Sequence, residues 1–180
     1  MGFFDRNRKA LIAKGIDPAR LPPGQYSTDR FPVLHVGEVP AYRDLSTWSL
    51  RIFGAVDREV SLGWDELLAL GSVDITVDIH CVTKWSKFDT AWRGVPLDSV
   101  LAAAGVDPAA THLIEHGENG YTTNVPLDEV RGLDAIGQPR AILAHRFDGE
   151  NLDPDHGYPL RLVVPSLYFW KSAKWLRGLE

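Results

Sequence analysis

One short run constrains this chain more than any other. In Val73-Asp74-Ile75-Thr76-Val77-Asp78-Ile79 apolar and polar side chains alternate strictly, the period-2 signature of a strand with one buried face. The alternation stops at His80. The next residue, Cys81, is the only cysteine in the sequence, so the thiol stands where a strand gives way to a loop. Trp85, Trp92, Gly94 and Pro96 come soon after. A thiol so placed has three readings: a small buried hydrophobe, a nucleophile paired with a histidine, or a thiolate ligand to a soft metal. With one cysteine, no intramolecular disulfide framework is available.

The rest of the chain reads as short strands broken by short helices. Arg6–Ile12 starts a helix that Gly15 and Pro18 stop, and Leu21-Pro22-Pro23-Gly24 is an extended linker. Residues 1–30 are therefore assigned to a peripheral extension, and 31–180 to one domain. Leu50–Phe53 and Val60–Leu62 flank a turn at 54–57. Trp64–Leu70 is a short helix with Asp65 and Glu66 at the positive end of its dipole. Pro96–Gly105 is the clearest helix, opened by proline and closed by glycine, with Leu97, Val100, Leu101 and Ala104 on one face. Strands are predicted at 111–115, 121–125 and 141–145, and a helical turn at 126–130. Leu160, Leu162 and Val164 alternate with Arg161 and Val163. Trp92–Pro96 reads as a packed turn. This pattern is that of a compact α+β fold rich in sheet.

Composition narrows the class. A chain of 180 residues, 44% hydrophobic and 24% charged, forms one domain with a real core. A net charge of −5 argues against a nucleic-acid partner. No apolar run approaches the roughly 18–20 residues of a membrane span. The N-terminal residues carry neither a secretory apolar core nor a twin-arginine pair. These features favour the cytoplasm.

The histidines are His35, His80, His112, His116, His145 and His156. His112 and His116 lie four apart, but in a segment that reads as extended and lacks the glutamate of HExxH, so a zinc site has no support. There is no GxGxxG, Walker loop or GxSxG. The C-terminal segment is more informative. Arg161, Lys171 and Lys174 sit among Leu, Val, Tyr, Phe and Trp residues. If that segment packs, those charges need a partner. Two lysines with Ser172 and nearby backbone N–H groups suit a phosphate.

These residues carry a family resemblance. The segments are Phe31–His35, Asp78–Ser86 around Cys81, Trp92–Leu97, Gly120–Leu127, and His156–Pro165 continuing into Lys171–Trp175. In this order they resemble the molybdopterin-binding domain of the sulfite oxidase superfamily, above all its small bacterial members. The resemblance implies an α+β fold of the sulfite oxidase type and a mononuclear molybdenum-molybdopterin cofactor. It implies that Cys81 is the one protein thiolate on molybdenum, the pterin dithiolene bringing the other sulfurs. It places His156 and Arg161 in polar contact with the cofactor and Ser172, Ala173 and Lys174 around its phosphate, with Lys171 nearby. His35 and His116 fall where other members contact the pterin. Tyr121 matches a substrate-pocket tyrosine, and Lys84, Trp85 and Ser86 stand where sulfite oxidases carry arginines. The implied activity is two-electron oxygen-atom transfer on a small sulfite-, sulfoxide- or N-oxide-like substrate, catalysed with Cys81 and Tyr121. Lys84, Trp85 and Tyr121 line the substrate side, and the electron-transfer partner is unspecified. The rival readings are a non-catalytic module on the same fold and a Cys/His thiol enzyme.

Overall fold

A computed structural model describes residues 3–180 of the chain, with side chains from Asn7 onward. In chain order the strands are β1 (Tyr26–Ser27), β2 (Ser49–Ile52), β3 (Val60–Gly63), β4 (Val73–His80), β5 (Trp85–Pro96), β6 (His112–Gly117), β7 (Thr122–Pro126), β8 (Ile142–Phe147), β9 (Glu150–Asn151), β10 (Arg161–Val163) and β11 (Leu176–Leu179). The helices are α1 (Phe3–Ala13), α2 (Trp64–Ala69), α3 (Leu97–Ala104) and α4 (Leu127–Val130). The strands form two sheets. One runs β1-β5-β8-β10, with β4 paired to β5 and β9 to β8; the other runs β3-β2-β11-β6-β7. None of the helices among the described residues is long and apolar enough to cross a membrane.

The sheets share one core. Val95, Leu143 and Leu162 from the first sheet meet Leu50, Ile52, Leu113, Val125, Leu176 and Leu179 from the second, and the apolar face of α3 fills between them. That face is the predicted one: Leu97, Val100, Leu101 and Ala104 are buried, with Gly105 closing the helix at φ 71°. The first sheet has a second apolar face. Ile75, Ile79, Cys81, Trp85, Trp92, Ile142, Ala144, Val163 and Phe169 form a separate, aromatic-rich cluster there. A sheet covered on both faces loses the alternation of a half-buried strand. Ile142, Leu143 and Ala144 are accordingly all buried, and so are Arg161, Leu162 and Val163.

The predicted strand into Cys81 ends at His80. Beyond the loop the fold departs from the sequence reading. Trp92–Pro96 is no turn; it is the end of β5, which runs twelve residues from Trp85 to Pro96 and holds the first sheet together. The strand pairs antiparallel to β4 from Gly94 opposite Val73 to Ser86 opposite His80, with an irregularity between Val77 and Ile79. Gly94 reads as a turn residue, but its role is close approach: a Cβ there would lie 2.4 Å from the Leu143 carbonyl oxygen of β8. The segment assigned to a peripheral extension supplies β1, whose Tyr26 and Ser27 pair in parallel with Trp85 and Ser86 of β5.

Candidate functional site

The β4–β5 connection builds the first half of the site. The Lys84 N–H donates to the Cys81 carbonyl at 2.9 Å, and the Cys81 N–H donates to the Trp85 carbonyl at 2.9 Å. Lys84 takes φ 75°. This is a three-residue hairpin loop closed by a left-handed residue. A lysine at that position is strained relative to glycine by roughly 1–2 kcal/mol. The hairpin presents Cys81 from its tip. The thiol is buried, at 5% exposure, and its sulfur accepts a hydrogen bond from Thr83 Oγ1 at 3.2 Å. The neighbouring His80 does not reach it: His80 Nδ1 meets Ser86 Oγ at 2.8 Å. Burial holds the His80 imidazole below its usual pKa.

Arg161, on β10, builds the second half. Its guanidinium is almost wholly enclosed, at 2% residue exposure. It donates to the carbonyls of His156 at 2.8 Å, Ser172 at 3.0 Å and Leu162 at 3.4 Å. Its charge also lies 4.2 Å from the centre of the Phe169 ring and 5.6 Å from that of Trp92. Among the described residues it makes no ion pair with a carboxylate. Burial therefore pushes its pKa down to about 9. Lys174 donates to the Asp155 carbonyl at 2.7 Å, and burial, then the nearby Arg161, lower it to about 8. Two cations are thus held close together by carbonyl dipoles and aromatic faces, and among the described residues neither forms a salt bridge with a carboxylate. Gly157, at φ 113°, makes this possible: a side chain there would crowd Arg161 and Lys174 at 3.1–3.2 Å.

Both halves open on one cavity of about 160 Å³. Cys81, Trp85, His35, Tyr121, His156, Arg161, Ser172 and Lys174 all line it. His156 places Nδ1 2.6 Å from Asp153 and Nε2 3.1 Å from the Phe31 carbonyl, and its ring stacks on Phe31 at 3.8 Å. His35 sits edge-on to Trp175 at 5.6 Å with its Nε2 4.0 Å from Asp155. Tyr121 donates its hydroxyl to the Trp170 carbonyl at 2.7 Å.

Four residues implicated from sequence stand outside this lining. His116 pairs with Glu180 at 2.9 Å. Lys171 donates to the backbone and side-chain oxygens of Asn124 at 2.6 and 2.9 Å. Ala173 is buried behind the cavity wall, its N–H bonded to Glu115 Oε2 at 2.7 Å. Lys84 serves the hairpin backbone. Sequence reasoning in turn missed lining residues. Phe31, Phe169, Trp170 and Trp175 join the cavity wall, and the aromatic density of 168–175 is the signal that marks three of them. Asn119 carries no such signal. It lines the cavity from the β6–β7 turn and donates to the Val36 carbonyl at 2.6 Å, tying the 31–37 segment across the opening. Glu115 was also unforeseen: it is fully buried on β6, with Oε1 unpartnered.

A mixed α+β domain with a buried thiol and confined cations lining one cavity has the layout of a domain that holds an anionic, metal-bearing cofactor. Residues 36–180 match the family described as "Oxidoreductase molybdopterin binding domain", and the chain belongs to that family, whose cofactor is molybdenum-molybdopterin. It is similar to the uncharacterized oxidoreductase YuiH of Bacillus subtilis, 45% identical over 161 residues that cover 89% of this chain and 78% of that one. It is 33% identical over 145 residues to the catalytic subunit of the protein-methionine-sulfoxide reductase MsrP of Gluconobacter oxydans, covering 74% of this chain and 46% of that one. Among solved structures it matches the sulfane dehydrogenase SoxCD from Paracoccus pantotrophus with a TM-score of 0.65 and 25% identity, covering 77% of this chain and 39% of that one. The chain thus spans most of YuiH but less than half of the other two, and its fold is of the sulfite oxidase type.

Proposed function

We propose that this domain binds molybdenum-molybdopterin between Cys81 and the Arg161–Lys174 end of the cavity and performs two-electron oxygen-atom transfer on a small substrate. One observation carries the reading: a buried thiol, a buried guanidinium and a half-buried ammonium, neither cation held in a salt bridge among the described residues, share one cavity. The donor set fits the group. Among the described residues no cluster of three or more His, Cys, Asp or Glu side chains could hold a metal by itself, so a metal at Cys81 needs a chelate to complete its ligands. Arg161 and Lys174 supply the positive charge that an anionic chelate tail requires, and Ser172 stands beside them.

When bound, the cofactor supplies a metal that gives or takes two electrons and exchanges an oxygen atom with substrate. This chain's residues do the rest. Cys81, deprotonated, anchors the metal, and the Thr83 hydroxyl tempers the charge on its sulfur. Arg161, Ser172 and Lys174 hold the anionic end, while His156 and His35 flank it. Trp85, Phe169 and Phe31 keep water from the thiol side. Tyr121 and Trp85 face the substrate. The aromatic wall, with Lys84, Trp85 and Ser86 in place of arginines in the stretch after Cys81, favours a neutral sulfoxide- or N-oxide-like substrate over sulfite. Sulfoxide chemistry is also what the name of the MsrP relative states of that protein.

The test is metal and pterin analysis of the chain produced in a host that makes molybdopterin. We expect about one molybdenum and one pterin per chain, and clean protein holding neither overturns the proposal. Reduction of sulfoxides and N-oxides by dye donors then separates an enzyme from a carrier module. The thiol-enzyme alternative is disfavoured by geometry, since the sulfur's hydrogen bond comes from Thr83 and the adjacent His80 is committed to Ser86.

A further inference from the structure

Residues 17–29 precede the span matched by the family, yet they run along the hairpin that carries Cys81. The Tyr26 N–H donates to the Lys84 carbonyl at 2.8 Å and the Thr28 N–H to the Ser86 carbonyl at 2.9 Å. Arg20 clasps Asp78 and Asp89, both at 2.6 Å, where β4 and β5 slip register. Lys87 donates to the Asp29 carbonyl at 2.9 Å. At the centre lies Gln25, 3% exposed. Its Nε2 donates to the Cys81 carbonyl at 3.0 Å, and its Oε1 accepts from Ser86 Oγ at 2.9 Å.

The direction of each bond in this chain is fixed. A carbonyl oxygen can only accept, so the amide nitrogen of Gln25 faces Cys81. The amide oxygen then receives the Ser86 hydroxyl proton, and Ser86 Oγ receives the Nδ1–H of His80. A relay of defined polarity therefore runs from His80 to the peptide of Cys81. The hairpin needs such support, because its loop is closed by the strained Lys84 and holds no glycine.

We propose that Gln25 is a positioning residue for Cys81: by fixing the Cys81 peptide from outside the hairpin, it sets the orientation in which the sulfur is presented to the cavity. The proposal rests on the reading of Cys81 as the metal's thiolate ligand. The segment 17–29 is then part of the metal site, acting on it through the backbone.

Gln25→Met tests this with little collateral damage. The Cys81 carbonyl keeps the Lys84 N–H, and Ser86, deprived of the Gln25 acceptor, turns its hydroxyl proton to His80 Nδ1 as the imidazole changes tautomer, so no buried group is left orphaned. Two measurements decide. In the full chain made without cofactor, the rate at which an aromatic disulfide reagent labels Cys81 should rise about five- to tenfold, because labelling of a buried thiol waits on local opening. In the holoprotein, pterin and molybdenum content should stay at the wild-type level, while the metal–thiolate absorption shifts or weakens. A residue that is only structural would lower the melting temperature and leave that band unchanged. Ser86→Ala serves as second variant should Gln25→Met not fold, with the same changes in smaller size, since the Gln25–Cys81 bond survives. Cys81→Ser is the control. If it abolishes the band while Gln25→Met and Ser86→Ala match the wild type in labelling rate and spectrum, the positioning role is wrong and the thiolate reading stands. If Cys81→Ser leaves the band intact, the thiolate reading itself fails, and the role of Gln25 toward the metal falls with it.

Discussion

The two halves of the cavity lining are built in opposite ways. The thiol end is a hairpin: Cys81 and Trp85 are four positions apart, and backbone hydrogen bonds between them set the geometry. The basic end is an assembly. Arg161 comes from β10, Lys174 and Ser172 from the stretch before β11, and the carbonyls that hold the two cations from Leu162, Ser172 and the short turn at 155–156. The thiol sits in an apolar cluster, and Arg161 and Lys174 are held below their ordinary pKa values by burial. One end is formed before any ligand arrives. The other stores unpaired charge that a bound anion relieves, which is how a site spends folding energy on affinity.

That contrast predicts a dissociation between metal and pterin. Cys81→Ser should have the largest effect, with loss of the metal–thiolate signal and more than about a hundredfold loss of activity. Its pterin content should persist, because the basic end is untouched. Released-pterin fluorescence beside X-ray absorption at the molybdenum edge checks both, and full activity in this variant would refute the ligand role. Arg161→Met should do the reverse and cost pterin itself. Loss of one charge-assisted bond of about 2 kcal/mol corresponds to about thirtyfold weaker retention, read as pterin remaining after dialysis.

The basic end should also be the pH-sensitive one. Burial raises the Glu115 carboxyl from 4.5 to about 8. Between those values the folded chain keeps a proton that the unfolded chain releases. Stability from this group therefore falls as pH rises from about 4.5 to 8 and levels above. Glu115→Gln keeps an acceptor for the Ala173 N–H and removes the titration. The variant should flatten that decline and exceed the wild type at pH 8 by on the order of 3 kcal/mol. Urea midpoints at pH 5, 6.5 and 8 provide the comparison, and parallel declines in both proteins would contradict it. Tyr121→Phe should be mildest, losing the bond to the Trp170 carbonyl for about 1 kcal/mol with metal and pterin content unchanged.

The elements with local signatures were legible in the sequence. β4 announced itself by alternation, α3 by a proline, a glycine and a four-residue apolar face, and β2–β3 by the turn between them. β5 was not, for two physical reasons. The hairpin before it lacks the glycine or asparagine that marks a left-handed turn position, Lys84 filling it instead. The strand itself is interrupted by a register shift opposite Val77–Ile79 and carries a glycine demanded by its neighbour. Likewise, the alternation of Leu160, Leu162 and Val164 carried no sign of where Arg161 and Val163 lie. Both are buried because the sheet is covered on two sides.

The sequence alone determined the family, the cofactor that the family carries and the thiol at the strand's end, because these rest on residue identities that survive without coordinates. It could not say which basic residues converge. Lys171 and Lys174 are three positions apart, yet one turns to Asn124 and the other lines the cavity. Nor could it show that Gln25, fifty-six positions away, braces the Cys81 peptide. Both facts depend on where separate segments are brought together, and long-range burial decides that where local periodicity cannot.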